Sequence, residues 1–381
     1  MGKKIPMWQC LIVMLAMVGL LVWSIVRDSG GEPHIALILA AVVAGLVAWA
    51  NGWKWAYLEQ GILASINRSM QAILILGILG CLIASWMAAG TIPSMMYYGI
   101  KVISPKVFLL TACILCSIVS LATGSSWSTA GSMGVALIGV GTALGFPVAM
   151  TAGAVVSGAY FGDKMSPLSD TTNLAPAMAG ATLFDHIKHM IYTTGTSMII
   201  ALVVYAVMGF MFSKDNDVDM GVVDEVMSFI ADSSNISILA LIPPVIVILM
   251  VAFKLPAIPG LIGGVLVAVP FMFLNKAHIE NAMVVAEMEK TDLLSNIFYI
   301  LNNGVAMGNV PEDASEIIST LSDLLSAGGM QGFMWTISII ICAMCFGGIM
   351  DCTGMMGSMT NVLLKMAKGT GGLVLATEFS C

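Results

Sequence analysis

The chain has 381 residues, 59% of them hydrophobic and only 10% charged, with a mean hydropathy of +0.97 and a formal net charge of −7. That composition exceeds what a soluble core of this size needs, and it excludes the basic surface of a nucleic-acid binder. The acid is concentrated, because residues 213–235 and 276–331 hold 14 Asp and Glu against 3 Lys.

From the N-terminus, apolar runs cover residues 8–26, 34–50, 69–90, 107–121, 132–162, 192–212, 236–253, 261–274 and 333–350. Most approach the ~20 residues a helix needs to cross ~30 Å of hydrocarbon. No period-2 alternation of a membrane barrel is present, and a lipid-embedded backbone must satisfy its own hydrogen bonds. The expectation is therefore an all-α, polytopic helical bundle in a prokaryotic inner membrane, with lipid as its constant partner. Lys3 and Lys4 could open a signal peptide, but no small-x-small cleavage site follows Trp23, so the first run reads as a retained helix. The same two lysines favour a cytoplasmic N-terminus. Cys113-x-x-Cys116 and Cys342-x-x-Cys345 lie within apolar helical runs with no histidine near, so they read as small packing residues.

Faint internal similarity divides the chain. A proline opens a Gly/Ala-rich run at Pro33 and again at Pro256. Met70-Gln71 recurs as Met330-Gln331, and residues 85–95 match 349–359 through Gly90/Gly354 and Ser94-Met95/Ser358-Met359. The predicted organisation is a first transmembrane repeat at 1–212, an acidic loop at 213–235, and a second, incomplete repeat at 236–381 containing an acidic loop at 276–331. The chain ends inside an apolar segment, which reads as a piece of a longer protein or a natural truncation.

Two polar interruptions carry the chemistry. At 123–131, Thr123-Gly124-Ser125-Ser126-Trp127-Ser128-Thr129-Ala130-Gly131 breaks an apolar region with residues that weaken a helix. At 162–176, Pro167 and Pro176 exclude a continuous helix. Asp163, Lys164, Asp170, Thr171, Thr172 and Asn173 lie in this second stretch. With Ser126 they form an oxygen-rich set suited to a hard monovalent cation, and thiolate or imidazole ligands are missing. Paired interruptions of apolar helices point to a transport site. The bland alternative is a solvated loop, but intramembrane ionisable residues are functional by default. Na+ is expected at Asp163, Asp170 and Asn173. Asp351, after the run 333–350, is a further ion-binding candidate, its alternative being an interfacial helix end. Asp185, His186, Lys188 and His189 read as an interfacial helix.

The residues Gly124-Ser125-Ser126-Trp127-Ser128-Thr129, the block Gly158-Ala159-Tyr160-Phe161-Gly162-Asp163-Lys164-Met165-Ser166-Pro167-Leu168-Ser169-Asp170-Thr171-Thr172-Asn173, and Gly347-Gly348-Ile349-Met350-Asp351 together resemble the NhaC-type sodium/proton antiporter family. The resemblance implies inverted repeats with discontinuous helices or re-entrant hairpins. It also implies exchange of Na+ for H+, with no cofactor beyond the transported ions. Some relatives exchange a protonated dicarboxylate for sodium and lactate, so small carboxylates stay open as substrates, and a second copy of the chain stays open as a partner.

An intramembrane enzyme is the competing class. His34, His186, His189 and His278 all lie outside the polar breaks, and no His-Glu-x-x-His motif is present, so the chain reads as no enzyme. A membrane scaffold is the other alternative, and it predicts no ion-dependent flux.

Overall fold

A computed structural model describes residues 3–27, 32–102, 104–123, 126–166, 169, 172, 182–215, 220–253, 255, 257–285, 292–306, 318, 322 and 325–359. These residues are almost wholly helical. In order they form α1 (Met7–Arg27), α2 (Pro33–Ala50), α3 (Trp55–Ala88), α4 (Thr91–Val102), α5 (Phe108–Thr123), α6 (Ser126–Thr129), α7 (Val135–Ala143) and α8 (Val148–Met165). They continue as α9 (Leu183–Met190), α10 (Thr196–Asp215), α11 (Met220–Ser233), α12 (Ile242–Ala252), α13 (Ala257–Leu274), α14 (Lys276–Val285), α15 (Leu293–Asn303) and α16 (Met334–Cys352). The sheet among the described residues is one antiparallel pair, Val305–Ala306 with Ser326–Ala327.

Five of the described helices are long and apolar enough to cross a membrane, and up to eight spans result if each sharply bent helix pair counts as one. Large apolar side chains line their outer faces: Leu15, Val26, Trp49, Tyr192 and Ile199 are all exposed. In water such a surface would be unstable, and in lipid it is the expected exterior.

Two findings differ from the sequence reading. The run 132–162 is two helices, α7 and α8, because the chain turns through Leu144, Gly145, Phe146 and Pro147. The two stretches taken as acidic loops also carry helices. Within 213–235, α11 buries Val226 and Ile230 while leaving Asp224 and Glu225 exposed, and 276–331 holds α14 and α15. An amphipathic helix needs only a narrow apolar stripe, which counting charges obscures.

The chain divides into two compact units, residues 1–74 with 334–381 and residues 75–333. In the first unit, α2 presents Ala36, Ala40, Ala44 and Ala48 as a buried stripe, one residue per turn. Small side chains let backbones approach where lipid offers no hydrophobic drive, and α1 and α16 both pack on this helix. In the same unit α16 meets α3 at Gly348, where an added Cβ would lie 2.8 Å from both Gly61 O and Ile62 Cα, whereas Gly347 has nothing within 4 Å. Gly347→Ala is therefore expected to leave the melting temperature in detergent unchanged or raised. Gly348→Ala should lower it, by the ~1–3 kcal/mol typical of overpacking.

The second unit is fastened at Asn275, which follows α13 and is fully buried. Its Nδ2 donates to Ala88 O at 2.7 Å and to Ser234 Oγ at 3.1 Å, and its Oδ1 accepts from Asn235 N at 3.0 Å. Asn275→Leu would take this partner from the buried Ala88 carbonyl and Ser234 hydroxyl, at ~1–3 kcal/mol for each group left unsatisfied. A thermal-unfolding scan of the purified variant should show a clear loss of stability, and an unchanged midpoint would contradict this assignment.

Two turns, one in each unit, match bond for bond. After α3, Ala89 N donates to Ser85 O (2.8 Å), Gly90 N to Met87 O (3.0 Å) and Ser94 N to Gly90 O (2.9 Å). After α16, Thr353 N donates to Ile349 O (3.2 Å), Gly354 N to Asp351 O (3.0 Å) and Ser358 N to Gly354 O (2.9 Å). Gly90 has φ +74° and Gly354 has φ +73°, a left-handed conformation that ends a helix at low cost only at glycine.

Candidate functional site

The site is built where α5 and α8 pack side by side, the most intimate helix pair in the second unit. Gly158 and Gly162, one turn apart on α8, make this approach possible. A Cβ at Gly158 would collide with Cys113 O. A Cβ at Gly162 would collide with Ser117 O and sit 2.5 Å from Leu121 N and 2.6 Å from Ser120 Cβ. The interface is sealed by polar bonds as well: Ser120 Oγ donates to Ala159 O, and Ser166 Oγ donates to Leu121 O at 2.8 Å.

Asp163 follows Gly162 on the last turn of α8 and is buried, at 8% exposure. Its carboxylate Oδ2 accepts from Ser126 Oγ at 3.2 Å. Ser126 opens α6, which continues through a π-helical segment at Ala130–Gly134 into α7. π segments are rare and recur at functional positions. Thr172 is also buried, and its Oγ1 donates to Asp163 O (3.0 Å) and Lys164 O (3.1 Å). Ser166 N also donates to Asp163 O, at 3.2 Å. Ser169 Oγ accepts from Thr172 N at 3.4 Å, and Ser166 and Ser169 are both buried.

Chemically, this is a carboxylate withdrawn from water with one hydroxyl donating to it, while Thr172 and Ser166 close the carbonyls at the end of α8. An ionised carboxylate in such a place needs a cation or a proton to balance it. Ser126 and Thr172 each spend their proton in the bonds above, and their oxygen lone pairs stay available to a cation.

Of the residues singled out from sequence, the structure gathers Ser126, Asp163 and Thr172. Asp170, Thr171 and Asn173 lie outside the described residues. The Lys164 side chain lines a furrow between α8 and the segment 194–201. Asp351 belongs to the other compact unit, where its Oδ2 accepts from Arg68 Nη2 at 2.8 Å with both side chains about half exposed. Arg68, Ser166, Ser169 and the packing of Gly158 and Gly162 were not singled out. Arg68 is a lone cation in the long α3, which was a usable signal for the partner of Asp351. Among the described residues no cluster of His, Cys, Asp and Glu could hold a metal ion, and their cysteines are free thiols. Residues Leu183–Met190 form a helix in which Thr182 caps the amide of Asp185.

The pattern of the Na+/H+ antiporter family matches residues 158–381, beginning at Gly158. The Na(+)/H(+) antiporter NhaC of Alkalihalophilus pseudofirmus is 33% identical over 380 residues, covering all of this chain and 77% of the relative. NhaC of Bacillus subtilis is 35% identical over 349 residues, covering 92% of this chain and 72% of the relative. The malate-2H(+)/Na(+)-lactate antiporter of Bacillus subtilis is 33% identical over 348 residues, 90% of this chain and 69% of the relative. No solved structure gives a significant match. With its apolar spans, the chain is a multi-pass cell-membrane protein, and it belongs to the Na+/H+ antiporter family.

Proposed function

We propose that this chain exchanges Na+ for H+ across the membrane, and that the two ions contest the Asp163 carboxylate. The observation that carries this reading is the burial of Asp163 against Ser126, the first residue of an interrupted helix. Ser126 and Thr172 supply oxygens beside Asp163, and Asp170, Thr171 and Asn173 of the same polar stretch are proposed as further ligands of the sodium ion. Protonation of Asp163 on one side expels sodium, and deprotonation on the other recruits it. Asp351 pairs with Arg68 within its own unit.

Alternating access calls for two related halves moving around the site. The reading of residues 1–212 and 236–381 as repeats draws support from the matched turns at Gly90 and Gly354. Their serines bond to the backbone at corresponding places in opposite senses: Ser94 Oγ accepts from Ser237 N, ahead of α12, and Ser358 Oγ donates to Ile5 O, ahead of α1. Each turn is thus tied to the opening of the other half.

Everted vesicles containing the protein should show sodium-dependent proton movement with a pH-sensitive dye. Vesicles that pass no such signal would refute the reading. Ser126→Ala removes one oxygen and a bond to a charged group, worth ~1.5–3 kcal/mol. It is expected to raise the apparent KM for sodium roughly 10- to 100-fold.

A second reading is sodium-coupled exchange of a small carboxylate, favoured by similarity to the malate-2H(+)/Na(+)-lactate antiporter over 90% of this chain. Counterflow of labelled malate against sodium and lactate separates the two. A pure ion antiporter carries no label.

A further inference from the structure

One hollow of the first unit, of about 380 Å³, lies where α2 meets the start of α3. Aliphatic and indole side chains line it, with no charged or hydroxyl group among them. α2 borders it from Ile38 to Trp49, a length of ~16 Å at ~1.5 Å per residue. Trp53 in the turn after α2 and Trp55 at the first position of α3 stand with Trp49 at one end, and Ile62 lies about two turns further along α3. Tryptophans gathered in this way mark the border between lipid headgroups and hydrocarbon. The hydrocarbon of one leaflet is ~15 Å deep, half the bilayer value, so the hollow runs about as deep as one leaflet.

The tryptophan end carries three ammonium groups. Lys54 stands between Trp53 and Trp55. The N-terminal segment is pinned to the same turn: Lys3 N donates to Asn51 O at 2.9 Å, and the Trp53 indole Nε1 donates to Lys3 O at 3.2 Å. Ile5 is fully buried, which keeps Lys3 and Lys4 there. Lys3, Lys4 and Lys54 are all exposed. The ion pairs among the described residues are His34–Glu32, Arg68–Asp351 and Lys276–Glu280, so none of the three lysines has a carboxylate partner there. Glu59, the nearest acid along the chain, lies more than a turn beyond Lys54 and joins none of these pairs. A transported cation is repelled by the lysines, and a small soluble anion would leave the hollow empty. An occupant with an anionic head and a hydrocarbon tail satisfies both.

We propose that this end of the first unit binds an anionic phospholipid, its phosphate held among Lys3, Lys4 and Lys54 and an acyl chain laid in the hollow between α2 and α3. The bound lipid reinforces the attachment of the N-terminal segment to the turn between those helices.

The test is native mass spectrometry of the protein after reconstitution in equal phosphatidylglycerol and phosphatidylcholine and gentle extraction. The wild type should retain phosphatidylglycerol preferentially. Lys54→Gln should reduce that preference about fivefold, the effect of one basic residue near the membrane surface, and replacing all three lysines by glutamine should reduce it at least ~25-fold. Lys54→Arg should preserve it. An added Cβ at Gly45, which lines the hollow, meets only Ile349 Cδ1, at 4.0 Å. Gly45→Leu therefore fills the hollow without forcing the helices apart, and it should reduce retention of both lipids. Equal retention of the two lipids by the wild type would overturn the proposal, as would an unaltered preference in the triple lysine variant or unaltered retention in Gly45→Leu. An equal loss of preference in Lys101→Gln, an exposed lysine of the second unit, would reduce the effect to net charge and overturn the site. A change of oligomeric state in Gly45→Leu with lipid retention intact would mark a subunit interface and equally overturn it. None of these readouts depends on sodium/proton exchange, so the proposal and the transport reading fail separately.

Discussion

Asp163→Asn should fold and reach the membrane, yet drive sodium-dependent proton movement at background. Asparagine keeps the size of the side chain, and its carbonyl oxygen can still accept from Ser126 Oγ. What disappears is the charge that balances a cation and the group that carries the proton. Removing one partner of a buried charge pair costs ~3–5 kcal/mol, so activity should fall at least ~100-fold. Stability should change little, because asparagine keeps the volume of the side chain and still accepts the Ser126 bond. An Asp163→Asn protein that melts like the wild type and still exchanges ions would remove Asp163 from the mechanism. Disrupting the Arg68–Asp351 pair is expected to change stability by no more than ~1 kcal/mol, since both side chains are half exposed.

Gly162→Leu is expected to be the most damaging packing change. Even the Cβ of alanine would strike Ser117 O, with Leu121 N at 2.5 Å and Ser120 Cβ at 2.6 Å. Two of these three atoms are backbone, which cannot swing aside as a side-chain tip can. Relief requires α5 and α8 to separate, which would break the Ser120–Ala159 and Ser166–Leu121 bonds and pull Asp163 from Ser126. Ordinary overpacking costs ~1–3 kcal/mol, and leucine here should exceed that range, giving aggregated protein on size exclusion. Gly162→Ala should fold with a lowered melting temperature and impaired exchange. Gly347→Ala, with open space around it, supplies the control. A wild-type profile for Gly162→Leu would show that α5 and α8 are not held together through this glycine.

Much of this architecture is legible in the sequence because lipid imposes few options. A run such as 333–350 can cross a bilayer only as a helix, and α16 occupies almost the same residues. The helix ending at Ala143 was hidden inside a longer run, since Gly145 and Pro147 look unremarkable among apolar neighbours. The helix α11 was hidden by its charges, because Val226 and Ile230 make a stripe only once a partner surface exists. At the site, composition singled out both polar interruptions, but the pairing of Ser126 with Asp163 bridges residues far apart along the chain. The role of Gly158 and Gly162 was equally invisible, since it depends on Cys113 and Ser117 lying opposite. Thr172 shows a further limit: its hydroxyl proton closes the end of α8 through Asp163 O and Lys164 O, a structural duty that residue type alone does not reveal.

The sharpest test of ion competition is proton release from the purified protein in weakly buffered detergent solution, followed with a pH-sensitive dye as sodium is added. If sodium and a proton contest the Asp163 carboxylate, sodium releases protons from the wild type in a saturable manner and releases none from Asp163→Asn. Equal release from both proteins, or none from a wild type that exchanges ions in vesicles, would contradict the account.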